Sequence, residues 1–477
     1  MAAAQWIMIS MCSFSLIGLI SLSRLAYTLL FTPFIVLSAV IAFFSVTMGT
    51  GLSATTIEIA TVNNVTMWLT MMSPELIFTI ILATIIGVGS TVIRWRYVNA
   101  PPGCDCVWLK LLFIVVSLFP FLAPKRVSRI IGAKMPYAIY FGFYDFFTNR
   151  YEILTERHAF DDVTAIMNSD APDVILVLGE SLRADHLSMN GYARNTMPSI
   201  SGDTAVISLP NMRGHAFHTH AAIPLILTRA GLEDKERAYE EPSFITIFNN
   251  AGFKTAWFAN QDLGSSYTYF AHEADTLVYT NNSRSLYVYS QWLDTDMLEP
   301  LAEWLDKTSL HNPQMAVLHT IGSHWWYKSH YTDKDAHFLP DISGKDIGLL
   351  SQEQIINAYD NTIIATDRFL SNLFSMLNDR NAIVIYVSDH GEALGEDGFY
   401  LHGSDHDVIH NPACLIWTSQ KFARNYPLKI EALKSARLKH VSTDVIFHTM
   451  LDAGTISTSL KEPSLSLLHD SLTDICN

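Results

Sequence analysis

Residues 173–181 read DVILVLGES, a run of mostly branched apolar residues that ends in glycine, glutamate and serine. An apolar run of this length is typical of a strand buried on both faces of a parallel sheet. Three further runs have the same character: 253–258 (FKTAWF), 315–320 (MAVLHT) and 382–387 (AIVIYV). Helical patterns at 244–251 and 353–377 lie between the runs. This alternation predicts an α/β domain with a mostly parallel central sheet.

Polar residues gather where these predicted strands end. They are Glu180 after the first strand, His324 after the third, Asp389, His390 and Glu392 after the last, and His402 shortly beyond. Ligands of open α/β sheets bind at the carboxyl ends of the strands. A single histidine there is more often solvated or packed in the core. Several carboxylates and imidazoles together suit zinc, so the sequence predicts a metal site at this edge.

The composition indicates a membrane protein with a soluble body. Only 16 % of the 477 residues are charged, against about 25 % in soluble proteins. The first 124 residues hold four basic and three acidic side chains, whereas the rest of the chain has a net charge of −16. We therefore predict a hydrophobic anchor joined to an acidic body. This acidity argues against nucleic-acid binding.

Four apolar stretches lie within residues 1–124, and we interpret them as four transmembrane helices. The first has no basic residues before it, so a cleavable signal peptide is the less favoured interpretation. Arg24, Arg94 and Arg96 lie in short connections, which the positive-inside rule places in the cytoplasm. Residues 47–74 then form an outer loop, and the soluble body faces outward. Basic residues just after the anchor do not fit this pattern.

Residues 125–170 form a predicted amphipathic connector, which precedes a soluble domain at 171–477. The aromatic residues between Tyr137 and Phe147 indicate either a belt at the membrane interface or packing against the domain. The chain has five cysteines: Cys12, Cys104, Cys106, Cys414 and Cys476. Only the last two lie in the soluble domain, so one disulfide is possible there and a disulfide framework is not.

Four segments resemble, in the same order, motifs of the phosphoethanolamine transferases. They are 174–198 (VILVLGESLRADHLSMNGYARNTMP), 218–231 (HTHAAIPLILTRAG), 357–370 (NAYDNTIIATDRFL) and 388–403 (SDHGEALGEDGFYLHG). These enzymes form part of the sulfatase-like branch of the alkaline phosphatase superfamily and include lipid A modifying enzymes. The resemblance implies a sulfatase-like catalytic domain in the bacterial periplasm, anchored in the inner membrane by a helical bundle.

The resemblance also implies an activity. Phosphoethanolamine would pass from phosphatidylethanolamine to a hydroxyl or phosphate of a lipid A-type or other envelope glycan, through a covalent phosphothreonine at a zinc ion. The implied zinc ligands are Glu180, Thr219, Asp389 and His390, with Thr219 as the nucleophile five residues before Pro224. A threonine hydroxyl needs such activation because it is a poor nucleophile at its free pKa. Ser181 is the rival nucleophile.

Four further residues are implied to contact the substrate. His324 and His402 are expected to hold the phosphate or act as general acid and base, while Asn260 and Glu392 are candidates for binding the donor head group or for supporting the site. His218 and His220, which flank Thr219, are not part of the family pattern. They are substrate-binding candidates, equally expected to be extra metal or phosphate ligands or merely exposed.

The chain departs from the family pattern in four respects. Residues 214–218 (GHAFH) replace the cysteine-bearing segment before the nucleophile, and the segment after Asn260 has no lysine. The soluble domain lacks the family's several disulfides, and the anchor has four apolar stretches where five are usual. A phosphoglycerol transferase is therefore the alternative, and a catalytically inactive sensor or scaffold is the alternative from another class. A true sulfatase is disfavoured because the chain has no [CS]-x-P-x-R motif.

Overall fold

The computed structural model describes residues 2–48, 57, 74–98, 107–123, 127, 131–132, 134–155, 163–261, 265–280, 291–308, 312–343, 347, 350–402 and 405–473. Most of the predicted outer loop lies outside this part of the chain, as do Cys104, Cys106 and Cys476. The chain divides into two compact units, Met1–Glu152 and Ile153–Asn477. The division falls inside the predicted connector.

The first unit is helical. Its helices are α1 (Ala2–Leu22), α2 (Arg24–Met48), α3 (Pro74–Arg96), α4 (Val107–Leu122) and α5 (Tyr137–Thr155). Helix α2 packs along α3, and α1 packs along α2 and α4. Arg24 and Arg94 each donate a hydrogen bond of 2.9 Å to the carbonyl of Val98, which places both arginines at one end of the unit.

Two stretches of this unit, Arg24–Phe43 and Glu75–Arg96, are long and apolar enough to cross a membrane. Ile7–Leu22 and Lys110–Leu122 are shorter apolar helices. These four stretches correspond to the four that the sequence predicts to cross a membrane.

Helix α5 carries the aromatic residues of the predicted connector. Tyr140, Phe143, Tyr144 and Phe147 are exposed, whereas Tyr137 is buried and donates to the carbonyl of Ser117 at 2.9 Å. Most of this aromatic set therefore lies on the surface of the unit.

The second unit is an α/β domain. Its strands are β1 (Ile166–Met167), β2 (Asp173–Gly179), β3 (Val206–Ser208), β4 (Met212–Arg213), β5 (Lys254–Ala259), β6 (Thr276–Tyr279), β7 (Gln314–His319), β8 (Ala382–Ser388), β9 (Ala393–Leu394), β10 (Tyr400–Leu401), β11 (Cys414–Thr418), β12 (Val441–Ser442) and β13 (Ile456–Ser457). Its α-helices are α6 (Thr219–Leu227), α7 (Arg237–Glu240), α8 (Phe244–Asn250), α9 (Ser265–Ala271), α10 (Leu298–Thr308), α11 (Gln352–Leu377), α12 (Gln420–Asn425), α13 (Pro427–Ala436) and α14 (Val445–Ala453).

The main sheet has the strand order β3-β11-β8-β2-β7-β5-β6 in the described part of the chain. Strands β8, β2, β7, β5 and β6 are parallel, and β11 runs antiparallel to both β8 and β3. This arrangement confirms the predicted α/β class and the mostly parallel sheet.

Hydrophobic layers cover both faces of the sheet, as the apolar run in β2 requires. Val174, Leu176 and Leu178 pack in one cluster with residues of α6, α8 and α14. Ile175 and Val177 pack in the other cluster, with residues of α10 and α11. Because successive side chains of a strand alternate between faces, a strand buried on both faces must be apolar throughout.

Candidate active site

The site forms where two adjacent parallel strands end beside the start of a helix. In β2 and β8, Gly179 lies opposite Ser388, so the residues that follow, Glu180 and Asp389, are brought side by side. Thr219 is the first residue of α6. Glu180, Asp389 and His390 are buried, as expected for groups at the inner end of a sheet cleft.

The side chains of Glu180, Thr219, Asp389 and His390 converge. Thr219 Oγ1 lies 3.2 Å from Glu180 Oε2 and 3.3 Å from His390 Nε2. His390 Nε2 lies 3.2 Å from Asp389 Oδ2 and 3.7 Å from Glu180 Oε1. Four ligands held tetrahedrally at 2.0–2.2 Å from an ion are separated from one another by about 3.3–3.6 Å. The separations of Thr219 from Glu180 and His390, and of Asp389 from His390, lie within about 0.1 Å of this range.

The electrostatics of the two carboxyl groups also call for a cation. Asp389 Oδ2 is buried and has no hydrogen-bond partner of acceptable geometry among the described residues. Burial, and then the nearby carboxylate of Glu180, raise the pKa of Asp389 well above its usual range. Two carboxylates in one buried site repel each other unless a positive charge lies between them. The residues present thus fit a divalent metal ion.

The tautomer of His390 is fixed by a main-chain group. Its Nδ1 lies 2.7 Å from the carbonyl oxygen of Gly391, which can only accept a hydrogen bond, so Nδ1 carries the proton. Burial lowers the pKa of His390 to about 3, which keeps the ring neutral. Nε2 therefore presents its lone pair to the centre, the form in which histidine binds metals.

Ser181, the rival nucleophile, supports Glu180 in the structure. Its Oγ donates to Glu180 Oε1 at 2.8 Å, and its own main-chain carbonyl accepts from Tyr359 at 2.7 Å. Its main-chain N–H donates to Asp389 Oδ1 at 3.1 Å. Ser181 is fully buried and lies behind the two carboxylates.

His402 and Glu392 form a pair beside the centre. His402 Nδ1 lies 2.8 Å from Glu392 Oε2, and Tyr327 donates to Glu392 Oε1 at 2.8 Å. Burial by itself lowers the pKa of His402, but the carboxylate of Glu392, and then those of Glu180 and Asp389, outweigh it and raise that pKa to about 9. His402 is therefore a cation at neutral pH, suited to bind a phosphate or to donate a proton.

His402 also lies close enough to count among the potential ligands. Nitrogen and oxygen atoms of Glu180, His390 and His402 lie within 4.8 Å of one another. Asp389 Oδ2 lies 3.2 Å from His390 Nε2, and His402 Nδ1 is held by Glu392 Oε2 at 2.8 Å. Asp389 therefore fits the predicted ligand set, and its choice over His402 stays a prediction.

The other predicted histidines lie beside His402 or at the start of α6. The ring of His324 lies 5.6 Å from that of His402, and its Nδ1 contacts the carbonyl of Trp325. His218 caps α6, because its Nδ1 accepts from the N–H of Ala221 at 3.3 Å, which leaves the proton on Nε2. The ring of His220 lies 5.8 Å from that of Tyr267. Burial, and then nearby His218, lower the pKa of His220 to about 4.

Asn260 is the predicted site residue that the structure turns away from the centre. It is fully buried, its Nδ2 donates to Asp294 at 2.8 Å, and its Oδ1 accepts from Trp292 and Thr280 at 3.1 Å each. These bonds occupy both ends of the carboxamide. The following residue, Gln261, reaches the centre instead, since its Nε2 donates to Glu180 Oε2 at 3.0 Å. No motif singles it out, although it too follows a strand.

The fold and the site together define a class of α/β enzymes in which a threonine hydroxyl lies among side chains that can bind a metal ion. The family model described as Sulfatase matches residues 172–456, and the chain belongs to this family. These residues include all four converging side chains.

Curated relatives carry the name of a transferase. The chain is 28 % identical to phosphoethanolamine transferase EptA of Escherichia coli over 307 residues, which cover 62 % of this chain and 55 % of EptA. It is 30 % identical to phosphatidylethanolamine transferase Mcr-1 of Escherichia coli over 241 residues, which cover 48 % and 44 %. The chain thus spans about half the length of these relatives. The matches confirm the resemblance to phosphoethanolamine transferases that the four motifs indicate.

Solved structures share the fold. The integral membrane protein EptA of Neisseria meningitidis matches with a TM-score of 0.73 at 21 % identity, covering 92 % of this chain and 86 % of that one. Its soluble domain matches with a TM-score of 0.60 at 26 % identity, covering 65 % and 97 %. The periplasmic domain of EptC from Escherichia coli, solved in complex with zinc, matches with a TM-score of 0.57 at 23 % identity, covering 65 % and 90 %.

Proposed function

We propose that this chain is a membrane-anchored phosphoethanolamine transferase of the bacterial inner membrane, with its catalytic domain in the periplasm. It takes phosphoethanolamine from phosphatidylethanolamine, holds it on Thr219 and passes it to a hydroxyl or phosphate of lipid A or another envelope glycan. The observation that carries this proposal is the approach of Thr219 Oγ1 to within 3.3 Å of both Glu180 and His390. The names of the curated relatives support the choice of phosphoethanolamine.

Zinc is the proposed metal, and Glu180, Thr219, Asp389 and His390 are the side chains that would hold it. A bound zinc ion supplies positive charge that favours the threonine alkoxide and offsets charge on the phosphoryl oxygens. The donor set of oxygen and imidazole nitrogen at tetrahedral spacing supports this choice.

The protein's own residues would manage the protons. In the first displacement Thr219, which would release its proton to water when the metal binds, forms the Oγ1–phosphorus bond, and the bond from phosphorus to the diacylglycerol oxygen breaks. His402, cationic at neutral pH, donates the proton that this oxygen needs. In the second displacement the bond from phosphorus to the acceptor oxygen forms and the bond from phosphorus to Thr219 Oγ1 breaks, while a neutral imidazole takes the proton of the acceptor hydroxyl. The candidates for this role and for contacts to phosphate are His218, the residue before Thr219, and His324, whose ring lies 5.6 Å from that of His402.

One observation keeps the phosphoglycerol transferase as a second candidate. Asn260, the predicted contact for the donor head group, is hydrogen-bonded to Asp294, Trp292 and Thr280 inside the domain. The chain also has no lysine in the segment that follows. Head-group selection must therefore rest on other residues, and parallel assays with labelled phosphatidylethanolamine and phosphatidylglycerol separate the two candidates.

The test is to trap the intermediate on the purified full chain. With head-group-labelled phosphatidylethanolamine, peptide mass spectrometry should find phosphoethanolamine on Thr219, and Thr219→Ala should lose both this label and transfer to the glycolipid fraction. Thr228→Ala is the matched control, because Thr228 caps the other end of α6 with its hydroxyl on the carbonyl of Pro224. Full transfer by Thr219→Ala, or a label on Ser181, would contradict the proposal.

A further inference from the structure

Gln261 connects the ends of three neighbouring strands at the proposed metal centre. It follows β5 by two residues, and its Nε2 donates to the carbonyl of Thr320, just after β7, at 2.5 Å. The same nitrogen donates to Glu180 Oε2, just after β2, at 3.0 Å. Gln261 is only 6 % exposed. The side chain therefore spans the sheet edge from β5 across β7 to β2.

The chemistry of these contacts fixes the orientation of the amide. Both partners, a main-chain carbonyl and a carboxylate oxygen, can only accept hydrogen bonds. The group that faces them must be the NH₂ of Gln261, which has two protons to donate. In the contact with Glu180, Gln261 is therefore the donor and the carboxylate is the acceptor.

Both oxygens of Glu180 are consequently held by neutral donors. Ser181 Oγ donates to Oε1 and Gln261 Nε2 donates to Oε2. Rotation of the carboxylate would break one bond or the other, so its remaining lone pairs stay directed at Thr219 and His390. A neutral donor leaves the full negative charge of Glu180 for a cation, which a lysine or arginine at the same place would not.

We infer that Gln261 is a positioning residue, which orients Glu180 and thereby raises the affinity of the centre for its metal. This inference rests on the proposed metal centre. Residues that hydrogen-bond a metal ligand commonly change metal affinity by about 10- to 100-fold when they are removed. Gln261 never touches the metal or the phosphate in this account, since it acts through Glu180.

The test compares Gln261→Met with Gln314→Met in the detergent-solubilised full chain. Gln314 begins β7 at the opposite end of the strand, is equally buried, and likewise donates to a main-chain carbonyl, that of Leu305, at 3.0 Å. Competition with a chelator gives the zinc dissociation constant without any lipid present. We expect about a 10- to 100-fold weaker constant for Gln261→Met and less than a twofold change for Gln314→Met.

A double substitution tests whether Gln261 affects metal affinity by orienting Glu180. In a Glu180→Gln background, Gln261→Met should change zinc affinity far less than in the wild type, because the carboxylate it orients is gone. If Gln261→Met does not fold, Gln261→Leu removes the same donor.

Two results would overturn the inference: unchanged zinc affinity in the folded Gln261 variant, or an equal loss in Gln314→Met. A chain that binds zinc tightly but transfers no phosphoethanolamine contradicts the proposed function alone.

Discussion

The carboxylate of Glu392 sets how basic His402 is, and this gives a pH test of the proposed acid. Because the ion pair raises the pKa of His402, its cationic form persists to higher pH than in a free histidine. Diacylglycerol release should therefore fail only as pH rises through that raised pKa. In Glu392→Gln the charge is lost, so we expect the alkaline fall in rate to begin at lower pH. The measurement is the pH dependence of diacylglycerol release from phosphatidylethanolamine.

Tyr327→Phe is the matched control. It removes the other hydrogen bond to Glu392 but keeps the carboxylate charge beside His402. The alkaline fall in its rate should occur at the same pH as in the wild type or at a higher pH. An unshifted profile in Glu392→Gln would show that His402 is not the acid.

Neighbouring residues Asn260 and Gln261 show where sequence reasoning stops. The resemblance pointed to Asn260, but successive side chains along an extended chain face opposite ways. Asn260 points to Asp294 and Gln261 points to Glu180, so a register of one residue decides which of them reaches the centre. By contrast, Glu180 and Asp389 could be predicted together, because adjacent parallel strands fix their relative positions.

The loop after β7 packs against the main chain of Glu180. Gly322 has a φ of +49°, and a Cβ there would lie 2.8 Å from the main-chain oxygen of Glu180. Ser323 N–H donates to that same oxygen at 3.0 Å. We therefore expect Gly322→Ala to destabilise the domain by about 2–4 kcal/mol, through backbone strain and overlap together. Denaturant unfolding of the full chain measures it.

Gly398 is a control position, where a Cβ would cause backbone strain without steric overlap. Its φ is +80°, but a Cβ there would meet no atom within 4 Å. Gly398→Ala should cost only about 1–2 kcal/mol, the strain of the left-handed conformation. Equal losses in the two variants would mean that the close approach of Gly322 to Glu180 is unimportant.

At the level of secondary structure, the long elements were predictable and the short ones were not. The predicted strands at 253–258, 315–320 and 382–387 differ from the observed ones by one residue at most at each end. Strand β11 was missed, although its residues are all buried, because its antiparallel place between β8 and β3 depends on distant pairing. Strands β4 and β12 have two residues each and are defined by their pairing with each other, which no local sequence pattern indicates.

In the whole molecule, the change in composition along the chain agrees with its division into two structural units. The helical unit, residues 1–152, has a net charge of +4, whereas the α/β unit, residues 153–477, has a net charge of −19. The carboxylates of Glu180 and Asp389 differ from most of that charge because they are buried and both lie beside His390. Their function depends on position, which overall charge cannot reveal.

This division predicts that metal binding stabilises one unit of the chain and not the other. Glu180, Thr219, Asp389 and His390 all belong to Ile153–Asn477, so zinc bound by them stabilises that unit alone. At a free zinc concentration of 100 times the dissociation constant, the gain is about 2.7 kcal/mol, or roughly 4 °C for a unit of this size. Calorimetry of the full chain, first with chelator and then with zinc, should therefore move the transition of the α/β unit and leave that of the helical unit in place. Asp389→Asn removes a ligand charge and should abolish the shift, whereas a zinc-dependent shift of the helical unit would place the ion elsewhere.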